Sequence, residues 1–366
     1  MKPNRRLLLA VVLFAAVGSP AVGQSSLSSQ IKAEIARLQQ SLKENPVTDQ
    51  RLQSLTGMIT DSLKSASEAA DAGQFYLSLE RLGQAEDLLQ GAHAAGDTAE
   101  VEKGGLSAFE SRWGKTSIRL TALDKDSHTR DWKDSPLAIR ALAEAAQGRA
   151  IPLLDGGRGF ATATSPKDGL FYIGQAEGEA DFSSFCASLH TPAKGTVFAL
   201  RSLLPELQAL QRKTNAAFQP PKSIDLHSRF IALNSQIKLA VELDAQRFYA
   251  GALYAYLDAV RHYGMLDESP LDAAAQEQVK KAVTAATRNI AKSSGDDSIL
   301  QLYLERAVSY TTHPDGSAPS ADEWRGARVI LDQVLPAYYH AQKPAAHVAG
   351  PSGKTVDITL IRWPYT

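Results

Sequence analysis

A single cysteine, Cys186, stands in 366 residues, so the chain cannot staple itself with disulfides and must be held by apolar burial. An excess of either charge is also missing, with 39 basic residues against 40 acidic ones. That balance leaves no electrostatic footprint for nucleic acid or for an anionic membrane surface. Long apolar runs are missing too. The one run of note, Leu7 to Val17, is too short to span a bilayer comfortably, and no later stretch is longer.

Complete catalytic and metal-binding motifs are equally scarce. Gly350-Pro351-Ser352-Gly353-Lys354-Thr355 looks like the end of a phosphate loop, but it lacks the upstream glycine, the preceding strand and the following helix that hold phosphates. Ser235-Gln236-Ile237-Lys238 fits Ser-x-x-Lys, yet the accompanying Ser-Asp-Asn and Lys-Thr-Gly elements are absent, so it reads as a solvated helix face. Cys186 and His190 are four apart, but two ligands do not make a zinc site. Cys186 itself, in the apolar run Phe182 to Leu189, reads as a small buried hydrophobe. Gly156-Gly157-Arg158-Gly159 reads as a flexible connection between helices. No cofactor, metal or catalytic residue is expected.

What is present begins with a secretory signal. Lys2, Arg5 and Arg6 precede the apolar run, and Ala21-Val22-Gly23 offers the small residues that a signal peptidase reads. Residues 1–23 are expected to be removed, leaving an exported chain, periplasmic or extracellular, soluble, and without a cysteine placed for lipid attachment. The remaining balance of 36 basic residues, once those three are gone, against 40 acidic ones is mildly negative.

Helical periodicity dominates the rest. Ile31, Ile35, Leu38 and Leu42 form one stripe, and Leu52, Leu55, Ile59, Leu63 and Ala66 form another. Gly73 is expected to turn the chain into a third helix. Ser135-Pro136, Ser165-Pro166-Lys167-Asp168, Ser269-Pro270-Leu271-Asp272, Ser298 with Gln301, and Ser320 with Glu323 read as capped helix starts. They predict helices over 166–189, 271–292, 299–310 and 321–341, and Pro205 and Pro336 should kink or split theirs. The organisation expected is an N-terminal helical region at 24–123, a polar linker at 124–135 and a main helical domain at 136–342. A Pro/Gly-rich linker and C-terminal strand follow at 343–366, with Val356, Ile358 and Leu360 on one face of a period-two pattern.

Three places share an aromatic pair after an aspartate: Phe75-Tyr76, Phe171-Tyr172 and Phe248-Tyr249. A small residue sits three positions after each Phe (Ser78, Gly174, Gly251), where it lets a neighbouring helix approach. Gly73-Gln74-Phe75, Ser78-Leu79, Leu82 and Ala85 resemble the second helix of a tetratricopeptide motif, over about one helix. The resemblance implies helical hairpins that bind another protein, without a regular period here, since the aromatic pairs recur after 96 and 77 residues. The fold expected is therefore all-α: stacked antiparallel helical hairpins, TPR-like or an irregular helical bundle, with a short C-terminal strand or hairpin.

Function is expected to be non-enzymatic protein binding through the six paired aromatics and, where it does not pack on the chain's own helices, the C-terminal strand. The alternative is an enzyme or small-ligand binder using Glu177, Asp181 or His190. Glu177 and Asp181 are four apart and share a helix face, and Gly174-x-x-x-Gly178 on the same helix reads as a close-packing ridge.

Overall fold

The computed structural model describes residues 22–47, 52–191, 195–220 and 223–343. These residues are all-α. The helices are α1 (Val22–Glu44), α2 (Gln53–Asp71), α3 (Phe75–Gly96), α4 (Ala99–Thr129), α5 (Leu137–Phe160), α6 (Leu170–Ser188) and α7 (Leu204–Ala217). They continue with α8 (His227–Ala245), α9 (Tyr249–Gly264), α10 (Ala273–Ala291), α11 (Ser298–Thr311), α12 (Ala321–Val329) and α13 (Leu335–Ala341). Among the described residues no strand forms, and an isolated parallel bridge joins Thr196 to Gly295. The expected C-terminal strand and the phosphate-loop-like segment lie outside the described residues. So does the signal segment up to residue 21.

The apolar stripes explain the first helices. Ile31, Ile35 and Leu38 are buried from α1, and Ile59, Leu63 and Ala66 from α2, with Leu42 and Leu55 packed against the same core. Side-by-side packing then runs from α2 to α3, α6, α5, α9 and α8. A second, smaller cluster around Phe109, Leu120, Leu154 and Ile173 lies where α4 covers α5 and α6. Of the expected linker, Asp124 to Thr129 form the last turns of α4, and residues 130–136 are irregular.

Glycine sets the distance between α3 and α6. A methyl group at Gly174 would collide with the carbonyl of Gln90, and one at Gly178 would lie 2.7 Å from Cα of Asp87. The ridge expected from the Gly174–Gly178 spacing thus meets α3 backbone to backbone. The other expected small positions also lie at helix contacts. Ser78 donates its hydroxyl to the carbonyl of Ala66 at 2.7 Å, and a methyl at Gly251 would reach 2.8 Å from Cβ of Glu144.

Helix starts depart from expectation in several places. Ser320 and Glu323 form the reciprocal capping box (2.7 and 3.3 Å). Ser165 precedes a 3-10 turn, Pro166–Gly169, and its side chain caps nothing. Asp272, not Ser269, caps α10, accepting from the Ala275 N–H at 2.8 Å. Leu271 is buried just before it, which anchors the chain so that the cap falls on the next residue. Ser298 is the first residue of α11 and spends its hydroxyl on the Ala138 N–H of α5, at 2.8 Å. Pro336 follows a π-turn, Ile330–Val334, that divides the expected 321–341 helix, whereas Pro205 sits in the first turn of α7 and breaks nothing. Residues 156–159, expected as a loose connection, are helical within α5, and Gly157 abuts the Gly169 carbonyl.

Gly174→Ala should cost about 1–3 kcal/mol through overpacking. Gly114→Ala, in open space on α4, should instead stabilise by about 0.5–1 kcal/mol. Urea-unfolding midpoints of the two variants should move in opposite directions.

Candidate functional site

The α2–α3 and α8–α9 corners have one backbone. In the first, Gly73 has φ +74 and the N–H groups of Gly73 and Gln74 donate to Ala70 and Ala69 (3.1 and 2.8 Å). In the second, Arg247 has φ +64 and the N–H groups of Arg247 and Phe248 donate to Asp244 and Leu243 (3.0 and 2.9 Å). Arg247 therefore occupies the place of Gly73, and Tyr249 that of Phe75. The aspartates align the two corners one residue out of register.

Each corner sends a helix N-terminus into the protein, where a buried carboxylate from another helix receives it. Glu305 of α11 accepts from the Leu77 N–H at 2.9 Å, and Glu144 of α5 accepts from the Gly251 N–H at 2.8 Å. The third aromatic pair belongs to no such corner. Phe171 and Tyr172 lie in the first turn of α6, where Phe171 fills the space beside Gly91 and Tyr172 stacks on Phe160 with centroids 4.7 Å apart. Phe75 and Tyr76 are half-buried against the main core. Phe248 is buried and stacks on His128 at 4.4 Å. Phe248 and Tyr249 line a cavity. Val356, Ile358 and Leu360 lie outside the described residues.

That cavity, about 550 Å³, opens between the α4–α5 connection, the non-helical segment Val197–Leu200 and the α8–α9 corner. Its aromatic lining is Trp132, Phe198, Phe248 and Tyr249. Four basic side chains line it, Arg130, Lys133, Arg140 and Arg247, against two acidic ones, Asp131 and Glu144. Most of these charges are committed. Arg130 donates to Asp126 and to the Ala187 carbonyl (both 2.7 Å), and Lys133 pairs with Asp131 at 3.3 Å. Arg140 uses Nε on Glu144 at 2.6 Å and leaves its terminal amines without a described partner. Arg247 is exposed, and among the described residues its side chain makes no hydrogen bond or ion pair. The cavity can therefore take an anion without displacing an existing bond at Arg247.

The residues singled out on α6 do not meet there. Glu177 accepts from Thr116 at 2.7 Å and from Arg112 at 3.4 Å, and Asp181 pairs with Arg119. The shared face of Glu177 and Asp181 is thus turned to α4. His190 lies exposed beyond the end of α6, and its backbone N–H reaches Gln30 at 3.4 Å. Cys186 is buried, and burial pushes its thiol far above the ordinary value. Among the described residues no group of three His, Cys, Asp or Glu side chains could hold a metal ion. Ser235 and Lys238 are exposed on α8, with Lys238 paired to Glu242 at 3.7 Å.

Two polar clusters outside the cavity lining tie helices together, the first of them buried. Arg306 bridges Glu80 and Asp258, Tyr254 donates to Glu80, and Arg261 donates to Asp258 at 2.8 Å. Burial pushes Asp258 up, but Arg261 and Arg306 outweigh it and hold the carboxyl well below the usual range. The second cluster pairs Arg149 with Glu179 (2.5 and 2.8 Å) beside Asp87. Burial pushes Asp87 up to about 8, reinforced by Glu179 and opposed by Arg149.

No family model, curated protein or solved structure matches this chain, so its geometry alone bears on its chemistry. Arg247→Gly should relieve the left-handed backbone and raise stability by about 1 kcal/mol, read as a higher unfolding midpoint. Asp87 keeps a proton in the folded chain that the unfolded chain releases, so its contribution to stability falls as pH rises from 3.8 to about 8. The stability advantage of Asp87→Asn over the parent should accordingly grow through that window, measured by urea unfolding at pH 5, 6.5 and 8.

Proposed function

We propose that this is a non-enzymatic exported helical protein that binds another protein, as an interaction or scaffold component of the cell envelope. Export rests on the pattern of Lys2, Arg5, Arg6 and the apolar run to Val17. The scaffold is read as stacked helical hairpins, α2 with α3 and α8 with α9, of TPR-like or irregular kind. The repeated corner geometry supports that reading, as does the order in which these helices pack.

One observation carries the binding role. At the corner that borders the cavity, the chain places Arg247 where its twin corner has glycine, in a backbone region that costs an arginine about 1–2 kcal/mol. Strain of this kind persists where it serves a site. The uncommitted Arg247 shares the cavity lining with Trp132, Phe198 and Tyr249, and the mixed aromatic and basic character is the composition of binding hot spots. Val356, Ile358 and Leu360 of the C-terminal segment are a second candidate contact, through addition to a partner's sheet edge. A small-ligand binder is the competing reading, favoured by the cavity volume, which falls among those of small-molecule sites. Glu177 and Asp181 are already engaged by α4, so that reading moves to the cavity as well.

Affinity capture from envelope extracts tests the proposal with three chains: the mature protein, Ser135→Trp to fill the cavity, and a deletion of residues 343–366. The expected result is one recurrent partner, lost with Ser135→Trp at an unchanged melting temperature. Retention of that partner by Ser135→Trp and its loss on deletion would move the interface to the C-terminal segment.

A further inference from the structure

We infer that the cavity takes an acidic, extended peptide segment of the partner, clamped by Arg247 and Arg140 and paired to the backbone of Val197–Leu200. The inference rests on the protein-binding reading above and names the chemistry of what is bound.

Two independent features point to this guest. The first is charge. The lining carries twice as many basic side chains as acidic ones. Glu144 is already spent on the Gly251 N–H and on Arg140, and Asp131 on Lys133. What remains unsatisfied is cationic, the Arg247 guanidinium and the terminal amines of Arg140, and both present the planar donor fork that suits carboxylates. The second is the backbone. Val197, Phe198, Ala199 and Leu200 lie outside any helix, and among the described residues their N–H and C=O groups make no hydrogen bond. In a body where helices satisfy nearly all backbone groups, a non-helical stretch that lines a cavity with free donors and acceptors offers pairing to an extended chain. A small anion would use the arginines and leave this backbone unpaired. A peptide with alternating acidic and apolar residues uses both, with its apolar side chains over Phe198 and Tyr249.

The chain's own C-terminal segment is the rival occupant. It follows Lys343, whose carbonyl accepts from Arg201 Nε at 3.0 Å, so it starts close to this wall. Its charge does not match, because residues 344–366 hold Lys354 and Arg362 against Asp357 alone.

Fluorescence anisotropy with the mature chain tests the inference. The probes are a labelled 12-residue peptide alternating Glu with Val and Trp, its Gln counterpart, an N-methylated form of the Glu peptide, and citrate as competitor. The Glu peptide should bind and weaken with added salt. Affinity should fall about tenfold or more with the Gln peptide and with Arg247→Gly, the loss of one charge-assisted contact. The N-methylated peptide should lose affinity similarly. Because Arg247→Gly is expected to be the more stable protein, its loss of binding would not be a folding defect. Equal affinity for the Glu and Gln peptides, or no effect of Arg247→Gly, overturns the acidic guest while leaving protein binding at the cavity intact. Binding of citrate with no binding of any peptide overturns both readings. A rise of tenfold or more on deleting residues 344–366 assigns the cavity to the chain's own segment and overturns the partner peptide. No binding by any probe also overturns the inference, and retained capture by Ser135→Trp would then remove the cavity from the function altogether.

Discussion

A helix that begins inside a protein brings unsatisfied N–H groups with it, and everything in this structure depends on where acceptors for those groups come from. Four starts are met by side chains distant in sequence. Glu305 receives α3, Glu144 receives α9, and Asp296 with Ser298 receives α5. Asp244 accepts from the Leu203 N–H at 2.7 Å just before α7. Each bond ties a helix start to a different helix or connection, so the caps double as cross-braces. The carboxylates also complement the positive helix ends, which offsets part of the cost of burying them.

Two of those braces come from α11. It carries Glu305 and Ser298, and it carries Arg306, the cation shared by Glu80 of α3 and Asp258 of α9. Tyr303, also on α11, donates to the Tyr254 carbonyl at 3.0 Å. One helix therefore fixes the positions of α3, α5 and α9 at once. The α8–α9 corner, and with it Arg247, is held by the same set of bonds that holds the core.

The all-helical character and the first stripes were legible because the periodicity of Ile31 to Ala66 has one solution, a buried face. The close approach of α6 to α3 was legible from Gly174 and Gly178, since their spacing repeats once per turn. Cap identity was less so. Ser165, Ser269 and Ser298 satisfy the local rule, but Leu271 and the distant Ala138 N–H decide what each does. Local patterns cannot contain such partners. The cavity escaped for a similar reason. Its walls come from a stretch read as linker, from an irregular segment without pattern, and from Arg247. The αL position of Arg247 is disguised because the residue there is not glycine, and the aspartates that mark the two corners align them one place apart. The recurrence of Phe-Tyr after aspartate was the available signal; it marks both corners, one residue out of register.

Cys186 has a consequence outside all of this. Its thiol is enclosed and held in the protonated form, so a thiol-directed reagent reaches it only when α6 parts from its neighbours. With one sulfhydryl per chain, the pace of modification under native conditions is a built-in clock for that opening. It times the departure of α6 from the core that encloses its last turns.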